Sequence, residues 1–304
     1  MASVSPAIPL PIAGNTTERQ NQMLGELLSE AVRAAWSKAI ELLDRQTAQM
    51  LLEMDGKLKA EVASRVFDVI EQCSTSDKYK DEEVRSNRVY PPTYRVRPIE
   101  AQVMELRKLF PDLGACQEKL ERLPLPAGAE EWFAIPRWQA VASTYNEAVE
   151  LALELLVSRR RFENRIAGRL GEAYLRQTER SKLAERILAE QQAGCDILVV
   201  AAQAGMLHRG CSARRTRVTM ARNEFGLGVF AFACMLLAHP ERLSNCDTLM
   251  VDCGGDEYSL HGDLVFDRVP LFDYDISGIE FSIFYDDRAR NLWGTPTGFL
   301  YKLA

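Results

Sequence analysis

From Glu18 to about Cys73, apolar residues recur every three or four positions: Leu24, Leu27, Leu28, Val32, Ala35, Trp36, Ile40 and Leu43, then Met50, Leu51, Met54 and Leu58. This matches the 3.6-residue turn and predicts one very long amphipathic helix, or two joined near Gly56. Asn15–Glu18 supplies polar N-cap candidates and an acid for the first turn. Sustained amphipathic helices usually bury their stripe against another helix, often one from a second subunit. The stripe is therefore expected to form core, or the seam of a homo-oligomer.

Prolines interrupt the pattern twice. "SNRVYPPTYRVRPIE" (Ser86–Glu100) forces extended backbone, and helices are expected around Ile99–Phe110 and Gly114–Leu123. "LPLPAGAEEWFAIPRW" (Leu123–Trp138) reads as a connector whose Trp132, Phe133 and Trp138 wedge between layers. Helical spacing resumes over 143–193, opened by Thr144 with Glu147 at capping-box distance. The pattern then changes. "CDILVVAAQ" (Cys195–Gln203) and "DTLMVDC" (Asp247–Cys253) read as buried strands, separated by an apolar helix over Glu224–Ala238. A strand, a crossover containing a helix and a second strand predict a right-handed βαβ unit. "LVFDRVPLFDYD" and "GIEFSIFYDD" alternate as a hairpin turning at Ser277-Gly278.

The fold class that follows is α/β with α+β elements: a mainly helical N-terminal half with long amphipathic helices, then a C-terminal α/β domain with a small mixed sheet. Its expected segments are an extended Pro-rich arm (1–14), a helical region for self-association (15–122), a Pro/Trp-rich connector (123–142), and a helical lead-in with the α/β domain (143–304).

Composition narrows the setting. The 304 residues are 47% hydrophobic and 26% charged, ordinary for a globular chain. No apolar run reaches the roughly 18 residues that a membrane span needs; the longest, Phe225–Ala238, is interrupted by Gly226 and Gly228. The start, "MASVSPAIPLPIAG", has no basic leader and does not read as a signal peptide. Seven cysteines without CxxC spacing point to reduced thiols in a cytoplasm, with no disulfide framework and no zinc pattern. The net charge of −6 hides a segregation. Residues 157–222 carry fourteen Lys/Arg against six Asp/Glu, and residues 223–304 carry five against thirteen.

Most of the candidate chemistry lies in two places. "AGMLHRGCSARRTRVTMARNEFGLG" (Ala204–Gly228) concentrates His208, Arg209, Arg214, Arg215, Arg217 and Arg222 around glycines. Guanidinium forks bind phosphate oxygens in pairs, so Arg209, Ser212, Arg214, Arg215 and Arg217 are the expected anion-binding residues. No lysine follows the glycines as a phosphate loop requires. "VDCGGDEY" places Asp252, Asp256 and Glu257 at a strand end, the position where open α/β sheets bind ligands and where Mg²⁺ finds oxygen donors. Gly254–Tyr258, "GGDEY", resembles the diguanylate cyclase signature in all but one aromatic residue. That family places metal-binding aspartates on an upstream strand and substantial structure downstream. Here the upstream strand holds only Asp196, at its start, and 47 residues follow Glu257. A match of five residues implies neither that fold nor that activity.

The leading functional expectation is binding of nucleic acid or another phosphorylated ligand through the arginine loop. One alternative is a Mg²⁺-dependent phosphodiester-processing enzyme. It would use Asp252, Asp256 and Glu257 as ligands, Arg214 and Arg215 on phosphate, and His208 as acid or base. Another is an oligomeric scaffold built on the N-terminal helices. A structural reading of the loop pairs its arginines with the acidic C-terminal region. His239 is expected in a structural role at a helix C-terminus, and His261 in a surface turn.

Overall fold

The computed structural model describes residues 18–41, 43–54, 58–59, 61–66 and 79–301. The Pro-rich arm, the caps expected at Asn15–Thr17, Gly56 and Cys73 lie outside them. The chain divides into two compact units, parted immediately before Tyr79. The smaller contains α1 (Glu18–Ile40) and α2 (Arg45–Glu53). The long periodic stretch is already broken at Asp44, whose backbone is extended and whose carboxylate accepts the Thr47 N–H at 2.7 Å. A short acceptor at this position starts a helix afresh. The apolar stripe of α1 lies on the surface: Leu28, Val32, Trp36 and Ile40 are 44%, 47%, 50% and 54% exposed.

The larger unit is α+β, with two sheets. The first has the order β1 (Glu131–Pro136), β4 (Ile197–Gln203), β11 (Thr297–Phe299) and β5 (Glu224–Gly226), all antiparallel. The second runs β10 (Trp293–Gly294), β6 (Met250–Asp252), β8 (Phe266–Asp275), β7 (Asp256–Ser259), β3 (Leu175–Gln177). On its other side β8 pairs with β9 (Gly278–Tyr285), which pairs with β2 (Phe162–Asn164). Only β10–β6 and β2–β9 are parallel. The predicted βαβ unit is therefore corrected, because β4 and β6 belong to different sheets. A strand buried on both faces has the same apolar run whichever way its neighbours point, so "ILVVAAQ" carries no information about direction.

Among its described residues the unit also has five α-helices, α3 (Ile99–Leu109), α4 (Tyr145–Arg159), α5 (Glu179–Gln191), α6 (Ala213–Thr219) and α7 (Val229–Ala238). Thr144 and Glu147 form the expected capping box of α4. The helical stretch expected over 143–193 is split by β2 and β3, and Glu224–Ala238 divides into β5 and α7. The region expected as a connector contributes β1, with Trp132 and Phe133 buried. All ten residues of α7 are buried, and it packs on α3, α4 and β1. Two glutamines extend the first sheet's ladder. Gln102 accepts the Ala134 N–H at 2.9 Å and donates to Trp132 O at 3.0 Å along the open edge of β1. Gln192 does the same for Val199, at 2.8 and 3.0 Å, beyond the end of β11. An amide side chain offers one donor and one acceptor, like a peptide unit, and so satisfies an edge without another strand.

The glycines of "EFGLG" and "CGGD" meet between the two sheets. A Cβ on Gly255 would lie 2.4 Å from Gly226 O and 2.6 Å from Gly228 N. Backbone packs on backbone here, which only glycine permits. Nearby, the fully buried Arg242 donates to Leu249 O at 2.8 Å and Ala204 O at 2.6 Å, with its guanidinium 4.4 Å from the Tyr90 ring. It thereby links the chain after β4 to the approach to β6. The hairpin of β8 and β9 turns through Ile276-Ser277, one residue earlier than expected, with Gly278 at φ +125°.

Candidate functional site

The arginine loop does approach the Gly-Gly turn, but its side chains are engaged within the fold. Ser212 caps α6, accepting the Arg215 N–H at 3.0 Å and donating to Glu82 Oε2 at 2.7 Å. Arg214 forks onto the same Glu82, its Nε 2.9 Å from both carboxylate oxygens. Burial works to raise the Glu82 carboxyl, yet the bonds from Arg214 and Ser212 outweigh it and hold the group below its ordinary value. Arg215 lies 3.9 Å from Glu83. Arg217 reaches Asp286 at 2.9 Å and donates to Gly254 O at 3.1 Å and Asp256 O at 2.8 Å. Arg209 donates to Arg88 O at 3.1 Å. Arg217 uses the acidic C-terminal region through Asp286, whereas Arg214 and Arg215 pair with Glu82 and Glu83.

His208 is buried with its Nε2 2.6 Å from Glu224 Oε1. The same oxygen accepts Thr297 Oγ1 at 2.5 Å, and the other accepts the Ala221 N–H at 2.9 Å. Burial opposes ionisation of Glu224, but these bonds prevail and lower its carboxyl below the ordinary value. His239 is buried at the end of α7, as a structural role requires. Its Nε2 accepts the Arg97 N–H at 3.1 Å, and burial pushes its pKa down to about 4.

The three acids offered to Mg²⁺ do not converge. Asp252 ends β6 with Oδ1 buried, without a hydrogen-bond partner and 3.6 Å from Arg290; burial raises its carboxyl to about 7 against the pull of Arg290 and Arg217. Both Asp256 oxygens accept Tyr145 OH, at 2.9 and 2.7 Å, and Oδ2 also accepts the Val229 N–H at 2.7 Å. The cap residue of α7, Gly228, has no side chain, so Asp256 supplies the missing acceptor from the second sheet. Burial nonetheless pushes the Asp256 carboxyl up to about 7. Glu257, one residue on, pairs with Arg176 at 2.8 Å. Among the described residues no group of three or more His, Cys, Asp or Glu comes together to hold a metal ion. Mg²⁺ demands near-octahedral oxygens around one point, so these residues do not fit it.

A cavity of about 680 Å³ lies between the first sheet, α5 and the starts of α4 and α7. Ile135, Leu198, Val200, Phe225 and Phe230 give it an apolar lining, and Trp138 stands beside it at 6.2 Å from Tyr145, edge to face. Glu185 faces it from α5, with Oε1 accepting Gln177 Nε2 at 2.7 Å. Burial raises the Glu185 carboxyl to about 7, and the charge of Asp256 adds to the effect. Two further lining arginines, Arg137 and Arg186, make no hydrogen bond or ion pair through their side chains among the described residues, and Arg137 Nε is buried without a partner. The other lining cations, Arg176 and Lys182, pair with Glu257 and Glu179.

Apart from Trp138, none of these cavity residues stands out in the sequence, because separate segments contribute them singly. The usable signals were local: the Thr144 cap that starts α4 beside Tyr145, and Lys182, Glu185, Arg186 and Ala189 at helical spacing on α5. No family model, curated protein or solved structure matches this chain.

Proposed function

We propose that the chain binds a small amphipathic organic acid in the 680 Å³ cavity, with its apolar body against Leu198, Val200 and Phe230 and its anionic group on Arg137 and Arg186. The observation that carries this reading is the pair of guanidinium groups lining a partly apolar cavity, Arg137 half-buried and Arg186 exposed, neither of which makes a side-chain hydrogen bond or ion pair among the described residues. Ligand sites are typically cavities of about 300–1,000 Å³ with apolar walls and a few convergent polar groups. A carboxylate or phosphate would give both groups charge-assisted hydrogen bonds, and at Arg137, whose Nε is buried without a partner, it would also relieve the cost of an unpaired buried donor. Glu185, poised near pH 7, adds a group that donates a hydrogen bond when protonated and accepts one when ionised. The polyanion reading of the Ala204–Gly228 loop rests on arginines that already have partners, and so has less support than the cavity.

The test uses two aromatic probes of similar body, anilinonaphthalene sulfonate and the neutral phenylnaphthylamine. Both are expected to bind at one site per chain. Arg137→Ala and Arg186→Ala should each weaken the sulfonate about tenfold or more, as loss of a charge-assisted bond implies, and leave the neutral probe within about twofold. Ala231→Trp, which fills the cavity, should displace both while melting stays cooperative. Equal sulfonate affinity in native protein and both arginine variants would overturn the proposal.

A further inference from the structure

We infer that the cavity takes up its anionic ligand together with a proton, and that the proton sits on Glu185. Such uptake presupposes the binding proposed above and adds the regulation of that site by pH. Glu185 lines the same cavity as Arg137 and Arg186, on the helix that carries Arg186, and is half-buried. Its Oε1 accepts Gln177 Nε2 at 2.7 Å. An amide nitrogen only donates, so Oε1 stays an acceptor and Oε2 is the oxygen that carries a proton. Among the described residues Glu185 makes no ion pair.

Charged and titratable groups surround this carboxyl from several elements. Helix α5 itself supplies Lys182 and Arg186. Arg176 comes from β3, Glu172 from the chain just before it, Arg137 from the end of β1 and Tyr145 from the start of α4. Asp256 of β7 stands behind Tyr145, whose hydroxyl donates to it at 2.7 Å. Arg176 and Lys182 are turned to Glu257 and Glu179. Burial first, and then the like charge of Asp256, raise the Glu185 carboxyl to about 7. A ligand anion in the same space acts in the direction of Asp256 and favours the protonated form. The coupling is reciprocal, so the protonated form favours the anion equally. A space of 680 Å³ is about 11 Å across as a sphere, and like charges that far apart at an effective dielectric of about 20 change a binding constant about tenfold. Anion affinity is therefore highest below pH 7, where Glu185 is neutral, and falls as pH rises and the carboxyl ionises.

Fluorescence titration of the full chain with anilinonaphthalene sulfonate and phenylnaphthylamine, at intervals from about pH 6 to pH 8.5, tests this coupling. The sulfonate keeps its charge throughout, so a pH dependence belongs to the protein. Its affinity relative to the neutral probe should fall about tenfold across the range. In Glu185→Gln, which keeps the shape of the protonated side chain and cannot ionise, that ratio should stay constant. Calorimetry in two buffers of different ionisation heat should register uptake of about half a proton per sulfonate at pH 7 in the native protein, and none in Glu185→Gln. A constant ratio in the native protein, while Arg137→Ala and Arg186→Ala still weaken the sulfonate, would overturn the proton coupling and leave the binding proposal standing. A fall that persists in Glu185→Gln would also overturn it, since another group would then carry the proton. Sulfonate binding indifferent to both arginine variants removes the binding proposal and the coupling with it.

Discussion

Asp256 is the group whose replacement most directly tests the electrostatics of this fold. It is fully buried, accepts the first N–H of α7 and the Tyr145 hydroxyl, and releases its proton near pH 7 where an ordinary aspartate does so near 3.8. Between those values the folded protein holds a proton that the unfolded chain has lost. Stability from this group is therefore fully present below about pH 4 and falls as pH rises, by about 1.4 kcal/mol per pH unit, to a loss of about 4 kcal/mol at pH 7 and above. Asp256→Asn keeps an acceptor for Val229 and offers its amide to the Tyr145 oxygen, but it has no charge to bury. Its stability relative to native should be near zero at about pH 4, about 1.5 kcal/mol at pH 5, and climb to at most about 4 kcal/mol at pH 8. The charge of Asp256 also raises Glu185, so part of the difference belongs to the coupled pair. Urea unfolding of both proteins at intervals from about pH 5 to pH 8 measures it. The competing force is the N-terminus of α7, which with its N–H and the tyrosine hydroxyl favours the carboxylate. A difference that is flat with pH, or that favours the native protein at pH 8, would mean that those donors outweigh burial and that the reasoning is wrong.

Three further outcomes follow from other contacts. Gly255→Ala, whose Cβ would lie 2.4 Å from Gly226 O, should cost at least about 3 kcal/mol or abolish soluble expression. Gly194→Ala, at positive φ in open space, should cost about 1 kcal/mol; equal melting temperatures would refute the crossing. His239, neutral in the fold down to about pH 4, makes stability fall as pH drops below 6.5, by up to about 3 kcal/mol. His239→Gln should lack that acid-side loss in the same titration. Arg214→Ala should lower stability by about 1–2 kcal/mol, discounted because the side chain is 37% exposed, by leaving Glu82 with Ser212 as its remaining side-chain donor. If the native protein instead binds duplex DNA with a salt slope that Arg214→Ala and Arg215→Ala together flatten by about 1.8, the loop's internal pairing does not govern its function.

What the sequence made visible was local. The Thr144 cap, the buried run of β4, the proline breaks and the β8–β9 hairpin each depend on residues within a few positions of one another, where backbone sterics and short side-chain bonds decide the outcome. What stayed hidden depends on pairings over long separations. Strand β4 takes its neighbours from residues 131–136 and 297–299, and nothing in an all-apolar run distinguishes those partners from a parallel one. The same limit explains the two glycine segments. Taken alone, "CGGD" looks like a turn open to a ligand and "FGLG" like the start of an apolar helix, because glycine signals close approach without naming what approaches. In the fold each is the other's neighbour, and Asp256, rather than binding a metal, caps the helix that Gly228 leaves uncapped. The arginine loop carries the corresponding lesson for charge. A dense cluster of guanidinium groups shows that anions must be near, and here Glu82 and Asp286 already provide them. Arg137 and Arg186, which line the cavity without such partners, occur singly in the sequence. For that reason binding chemistry in this chain is better sought where a cavity and missing partners coincide than where basic residues are most frequent.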